Sequence, residues 1–301
     1  MTIGAYDGVH LGHRHLLAEL RQRAAARGLS SVVVTFDRHP ATVVRPESAP
    51  PILTDRDQKL ELLAAAGIDL TLVVPFDQAR ANETAEDFVL EVLVRALGAR
   101  LVVVGEDFHF GHGRAGNVAL LTEMGARHGF DVVGLALEED SSARAVSSTR
   151  IRQLLASCEV AAAAELLGRP HQVRGVVVHG DGRGGAELDF PTANVAVPDG
   201  VAMPGEGIYA CWYERPDGSV HAAAASLGRR PTFHAAAAPV LEVFLMDFSG
   251  DLYGEAARVS FVTHLRQERR FDTTEALVRQ MTEDVAAART ALGSAAHQSS
   301  P

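Results

Sequence analysis

The chain has 301 residues, 47% hydrophobic and 22% charged, a composition that excludes a disordered chain and is long enough for two domains. Its 28 Lys and Arg against 38 Asp and Glu give a net charge of −10, which leaves no broad basic face for a nucleic-acid backbone or an anionic membrane. No apolar run is long enough to span a bilayer and no secretory leader is evident, so the expected location is the cytoplasm.

From residue 1 to 156, short β-branched runs alternate with helical patterns: TIGAY, HLLAELRQRAAARG, SVVVTF, TDRDQKLELLAAAG, DLTLVVPF, AEDFVLEVLVRALG, ARLVVVGEDF, NVALLTEMGARHG and FDVVGLAL. The strands are near-continuous apolar runs, which predicts a doubly wound parallel sheet covered by helices on both faces. Gly28, Gly67, Gly98 and Gly129 follow the helical patterns where a left-handed cap is wanted. Residues 157–170 predict a linker helix. From residue 171 the punctuation changes to Gly, Pro and Asp between short strands: HQVRGVVVHG, TANVAV, GIYACWYER, SVHAAAASLG, VLEVFLMDF and ARVSFVTHL. With the helix TTEALVRQMTEDVAAARTAL they predict a small antiparallel β-barrel with a C-terminal helix over 171–294. Residues 295–301 are expected to be disordered. The alanine runs 222–225 and 235–238 read as a compositional habit.

Cys158 and Cys211 lie in different halves, frame no disulfide network, and are expected to be buried as small apolar residues. The basic residues are 27 Arg and one Lys. That lysine, Lys59, has no glycine around it, which excludes a P-loop, and its charged setting DRDQKLEL predicts an exposed side chain.

Behind the first strand, AYDGVHLGH places Asp7-Gly8 in a turn and His10 and His13 one helical turn apart, on a shared face. A helix N-terminus offers free N–H groups and a positive dipole end, and imidazoles there add donors for phosphate. Gly12 leaves room for a nucleotide to approach the backbone. Taken alone, a His-x-x-His pair is more often a surface feature; its position after the first strand of an α/β sheet favours a ligand site. Ser147, Ser148 and Thr149 open a short helix with hydroxyls and N–H groups, and Arg152 adds a fork one turn on. An ordinary N-cap explains the same residues. GEDFHFG puts Asp107, Phe108 and Phe110 at a strand's C-terminal end, where such sheets bind ligands, although the aromatics also suit a core.

HLGH resembles the HxGH signature of nucleotidyltransferases. With VVTFDRHP at 33–40, VVGEDFHFG at 103–111 and SSTRIR at 147–152, residues 1–156 resemble the FMN adenylyltransferase domain of bacterial FAD synthetases. The resemblance implies that His10, His13, Gly12, Ser148, Thr149 and Arg152 hold ATP, and that Asp107, Phe108 and Phe110 belong to the flavin site. In the family a short segment precedes this first motif; the chain starts inside its first strand, so a late start or a missing sheet edge is expected.

In the second half, the Gly-rich stretch HGDGRGGAELDFPTANV can wrap phosphates with backbone N–H groups through Gly180 and Gly182, while Thr192 and Asn194 supply neutral oxygens suited to Mg²⁺. A flexible hairpin explains the glycines equally well. PTAN, GIYA at 207–210, SLGRRPTF at 226–233, LEVFLMDFSGDLYG at 241–254 and LRQERRF at 265–271 together resemble the riboflavin kinase domain fused to the adenylyltransferase in that family. The resemblance implies Glu242 as the base for an alcohol nucleophile, against a reading as a surface strand residue. Departures from the family pattern fall here: Asp189 for Gly, Ser226 for Asn and Phe244 for His.

The expected activity is bifunctional: riboflavin to FMN with ATP and Mg²⁺, then FMN to FAD with a second ATP. The competing readings are an adenylyltransferase whose kinase specificity has changed, and a non-catalytic flavin-binding regulator. A tRNA-acting relative is disfavoured by the acidic charge. The expected partners are small-molecule substrates, with neither nucleic acid nor membrane; the sequence sets no oligomeric state.

Overall fold

A computed structural model describes residues 1–136, 146–179, 192–229 and 239–298. The chain divides into units Met1–Ser148 and Thr149–Pro301.

The apolar runs of the first unit form parallel strands β1 (Thr2–Ile3), β2 (Val32–Phe36) and β3 (Leu70–Val74), paired β1 to β2 and β2 to β3. Strands β4 (Leu101–Gly105) and β5 (Asp131–Leu135) pair in parallel as well. The Val103 N–H donates to the Met1 carbonyl at 2.9 Å, which sets β4 beside β1 in the order 3-2-1-4-5. Alternate strand residues serve opposite faces. Ile3, Val34, Val102 and Val104 pack with Phe88, Val92, Leu121 and Met124. On the other face Val33 packs with Leu17 and Leu63, and Leu101 and Val103 pack with Leu20.

The helices of that layer are α1 (Leu11–Ala26), α2 (Ala41–Val44), α3 (Arg56–Ala65), α4 (Gln78–Ala81), α5 (Ala85–Phe88) and α6 (Val118–His128). α5 runs on into a π-helical stretch, Val89–Ala96, where a regular α-helix is expected. Leu97 N–H there bonds the Val92 carbonyl five residues back. Gly28, Gly67, Gly98 and Gly129 all take positive φ, between 57° and 78°, as the capping pattern predicts.

In the second unit, α7 (Ser148–Ala156) and α8 (Val160–Leu167) precede strands β6 (His171–Val178), β7 (Thr192–Ala196), β8 (Gly207–Glu214), β9 (Val220–Arg229), β10 (Pro239–Leu245) and β11 (Ala256–Arg266). They close into a barrel in the order β10-β7-β6-β11-β8-β9, all antiparallel. Tyr209, Cys211, Ala223, Ala225, Leu241, Val243 and Phe261 fill its inside. On the outside, α9 (Thr274–Gln298) packs Ala288 and Leu292 against Ala210, Ala224 and Met246.

Four expectations change. α7 from Thr149 onward groups with the barrel unit, where the Gly205 N–H bonds the Leu155 carbonyl at 2.9 Å. The alanine run 222–225 is a packing device, with Ala223 and Ala225 inside the barrel and Ala222 and Ala224 against the α9 cluster; 235–238 lie outside the described residues. α9 continues to Gln298 because GSAAHQ contains no helix breaker stronger than one glycine and two alanines favour the helix. Cys158 is only half-buried: it ends α7 with φ +64°, which turns its side chain toward the Glu206 carbonyl and Gln267 Nε2, both 3.7 Å away.

Candidate functional site

At the C-terminal end of β1 the backbone turns so sharply that two non-glycine residues, Tyr6 (φ 50°) and Val9 (φ 37°), sit at positive φ on either side of Asp7 and Gly8 (φ 85°). Strain of this kind persists only where surroundings hold it. Asp7 Oδ1 accepts from the N–H groups of Leu53 (2.8 Å) and Thr54 (3.2 Å), and Thr54 Oγ1 accepts from the Gly8 N–H at 3.1 Å. Ser148 Oγ donates to the Asp7 carbonyl at 2.8 Å. The turn thus ties Ser148 to the approach to α1. Thr149 and Arg152 follow in the first two turns of α7.

His10 is the N-cap of α1, its Nδ1 accepting from the His13 N–H at 3.4 Å. The two imidazoles stack at 3.7 Å with 18° between their planes, as the shared-face spacing predicts. Burial first, and His10 second, hold the His13 imidazolium well below its ordinary range. His13 is therefore neutral at pH 7, and its Nδ1 is buried with no hydrogen-bond partner among the described residues. A buried polar atom left so costs about 1–3 kcal/mol, and a ligand group that reaches it recovers that cost. Gly12 lies under the His10 ring and the Val146 carbonyl, where a Cβ would meet them at 3.4–3.5 Å.

Asp107 is exposed beyond the end of β4, and Phe108 and Phe110 stack at 5.4 Å and pack half-buried on the core beneath. Since β1 and β4 adjoin, the His10 turn and the Asp107 segment leave the sheet at its topological switch point, where open α/β sheets bind ligands.

Lys59 reverses its expectation. Its side chain is 7% exposed, and Nζ donates to the carbonyls of Phe36 (2.8 Å) and Ala5 (3.3 Å) at the ends of β2 and β1. The N-cap Asp55 starts α3 so that Lys59, in the helix's first turn, aims inward beneath the His10 turn.

In the barrel, register brings the predicted kinase residues together. Glu242 pairs with Asn194 across β10 and β7 and with Ser226 across β10 and β9; Phe244 pairs with Thr192. Paired residues share a face, so these side chains form one patch, outside the barrel, while Leu241 and Val243 point in. Thr192, Ser226, Glu242 and Phe244 line a cavity of about 320 Å³ between the barrel and α9, closed by Phe271, Leu277, Met281 and Val285. Asn194 Oδ1 is buried without a hydrogen-bond partner among the described residues. Ser226 Oγ donates to Glu268 Oε1 at 3.0 Å. Arg266 grips Asp284 with both Nε (2.7 Å) and a terminal nitrogen (2.5 Å), bracing the cavity wall. Gly180, Gly182 and Asp189 lie outside the described residues.

The α9 ceiling and the Arg266–Asp284 pair escaped the sequence reading. Leu277, Met281 and Val285 at i, i+4, i+8 marked an apolar stripe, but nothing in the spacing said that it roofs a cavity.

A family model for FAD synthetase matches residues 1–150, and one for riboflavin kinase matches residues 167–292. The chain is 39% identical over 297 residues to a protein of Escherichia coli K12 named bifunctional riboflavin kinase/FMN adenylyltransferase, covering 97% of this chain and 92% of that one. A Pseudomonas fluorescens protein of the same name is 39% identical, covering 99% and 94%. A crystal structure of a Streptococcus pneumoniae protein described as a macrolide-efflux protein superposes with a TM-score of 0.86 at 30% identity, covering 96% and 93%. Among the described residues no helix is long and apolar enough to cross a membrane.

Proposed function

The chain belongs to the family of bifunctional riboflavin kinase/FMN adenylyltransferases, and from that premise we propose that it makes FMN in the barrel unit and FAD in the α/β unit. The observation that carries the reading is that, of the five buried side-chain atoms without a hydrogen-bond partner among the described residues, two, His13 Nδ1 and Asn194 Oδ1, fall one in each predicted phosphate site.

Adenylyl transfer asks for no base, because the attacking group is the phosphate oxygen of FMN, already an anion. That oxygen bonds the α-phosphorus of ATP and pyrophosphate leaves. The α1 N-terminus, His10 and His13 align and neutralise the phosphates, helped by Ser148, Thr149 and Arg152. Asp107, with Phe108 and Phe110, takes the flavin side. In the barrel the nucleophile is the neutral ribityl 5′-hydroxyl. Glu242 accepts its proton as the oxygen bonds the γ-phosphorus of ATP and ADP leaves. The apolar cavity under α9 receives the flavin ring. Thr192 and the orphaned Asn194 Oδ1 suit a hard cation, so we assign Mg²⁺ to them. When bound, the ion neutralises charge on the phosphates. We place both reactions in the cytoplasm.

The test is chromatography of flavins after incubation with ATP, Mg²⁺ and either riboflavin or FMN. Riboflavin converted to FMN and then FAD is the expected result. FAD formed from FMN alone would favour the second reading, a changed kinase specificity, which Phe244 opposite Thr192 and the Ser226 hydroxyl committed to Glu268 support. Flavin bound and unchanged in both tubes would make the chain a binding protein.

A further inference from the structure

Lys59 is the one lysine among 28 basic residues, and it is buried. Its compact ammonium is met by two backbone carbonyls and by the charges of Asp7 and Asp37. It borders a small cavity of about 40 Å³ at the ends of β1 and β2. Facing it are Asp7 from the β1–α1 turn, Asp37, Arg38 and His39 from the segment after β2, and Arg56 from α3. Asp55, Asp57 and Glu61 are the remaining charges on its own helix and cap.

We propose that Lys59 is the positioning residue of adenylyl transfer, its ammonium pinning the Ala5–Gly8 turn that aims His10 and His13 at the triphosphate. The chain of contacts is short. Nζ holds the Ala5 and Phe36 carbonyls, and its charge balances Asp7, whose carboxylate is anchored to residues 53–54 and whose carbonyl holds Ser148. The strained Tyr6 lies inside that stretch and Val9 directly follows it, so the turn has reason to relax when the ammonium is lost. Burial pulls Lys59 below its ordinary value of 10.5, with Asp7 and Asp37 opposing; above its pKa the pin loses its charge and the FAD-forming rate falls.

The inference rests on the proposed adenylyl transfer, and the assay separates the two: if the unaltered protein makes no FAD from FMN, that reading fails, independently of Lys59. Given an active protein, Lys59→Met should lower kcat for FAD formation by about 10–100-fold, raise KM for FMN less, and leave FMN formation from riboflavin unchanged. An unchanged kcat in a folded Lys59→Met protein, judged by circular dichroism, overturns the proposal. Should that variant fail to fold, Lys59→Arg decides. A guanidinium does not titrate, so the alkaline fall in kcat, present in the unaltered protein below pH 10.5, must disappear. Its persistence in Lys59→Arg overturns the proposal as well.

Discussion

The two units build their proposed phosphate sites from different materials. In the first, the candidate groups hang on a backbone turn: a helix N-terminus, positive-φ residues and a stacked pair of imidazoles. In the second, they are side chains set side by side by strand register, with a carboxylate at the centre. The difference follows the nucleophile. An anionic phosphate needs alignment and donors, which a turn supplies; a neutral alcohol needs a base held still, and a barrel strand holds it within a ladder on both sides.

The comparison breaks first under crossed substitutions. His13→Ala should abolish FAD formation from FMN and spare FMN formation from riboflavin, read by separate flavin assays; loss of both would mean that the sites are not independent. Glu242→Ala should do the converse, slowing phosphorylation of riboflavin by about 10²–10⁴-fold, and an unchanged kinase rate would remove Glu242 from the role of base.

A smaller effect sharpens the contrast in stability. His171, buried in the barrel with Nε2 against the Ala202 carbonyl at 2.7 Å, has its pKa lowered by burial from 6.5 to about 4, the carbonyl acting in the opposite sense. The unfolded chain therefore binds the extra proton between those values. Barrel stability should be fully present above pH 6.5 and fall by up to about 1.4 kcal/mol per pH unit toward pH 4. Denaturant unfolding followed by Trp212, a barrel residue, measures it, and a His171→Gln protein with an undiminished slope would locate the acid sensitivity elsewhere.

Sequence patterning carried most of the architecture, for stated reasons. Short strands between Gly, Pro and Asp punctuation, and glycines closing helices, are local signals, so all six barrel strands and the glycine caps were legible. His10 and His13 stack because three residues separate them on a helix. Thr192, Asn194 and Glu242 could be named by resemblance, yet their shared face depends on pairing between strands some fifty residues apart, which spacing alone does not encode. Lys59 was misread because charge around a helical lysine predicts solvent, while its burial is compensated by carbonyls distant in sequence. The cue was compositional: one lysine in an arginine chain.

Strand β9 offers methyl groups to both of its sides, Ala223 and Ala225 inward and Ala222 and Ala224 beneath α9. A floor so thin allows no trimming, and any enlargement either overfills the barrel or lifts the helix. Diversification of ligand choice is thereby channelled to one wall. Leu277 and Met281 line the cavity from the helix side, so a family radiating toward new flavin analogues would write its changes into the C-terminal helix and keep the alanines silent.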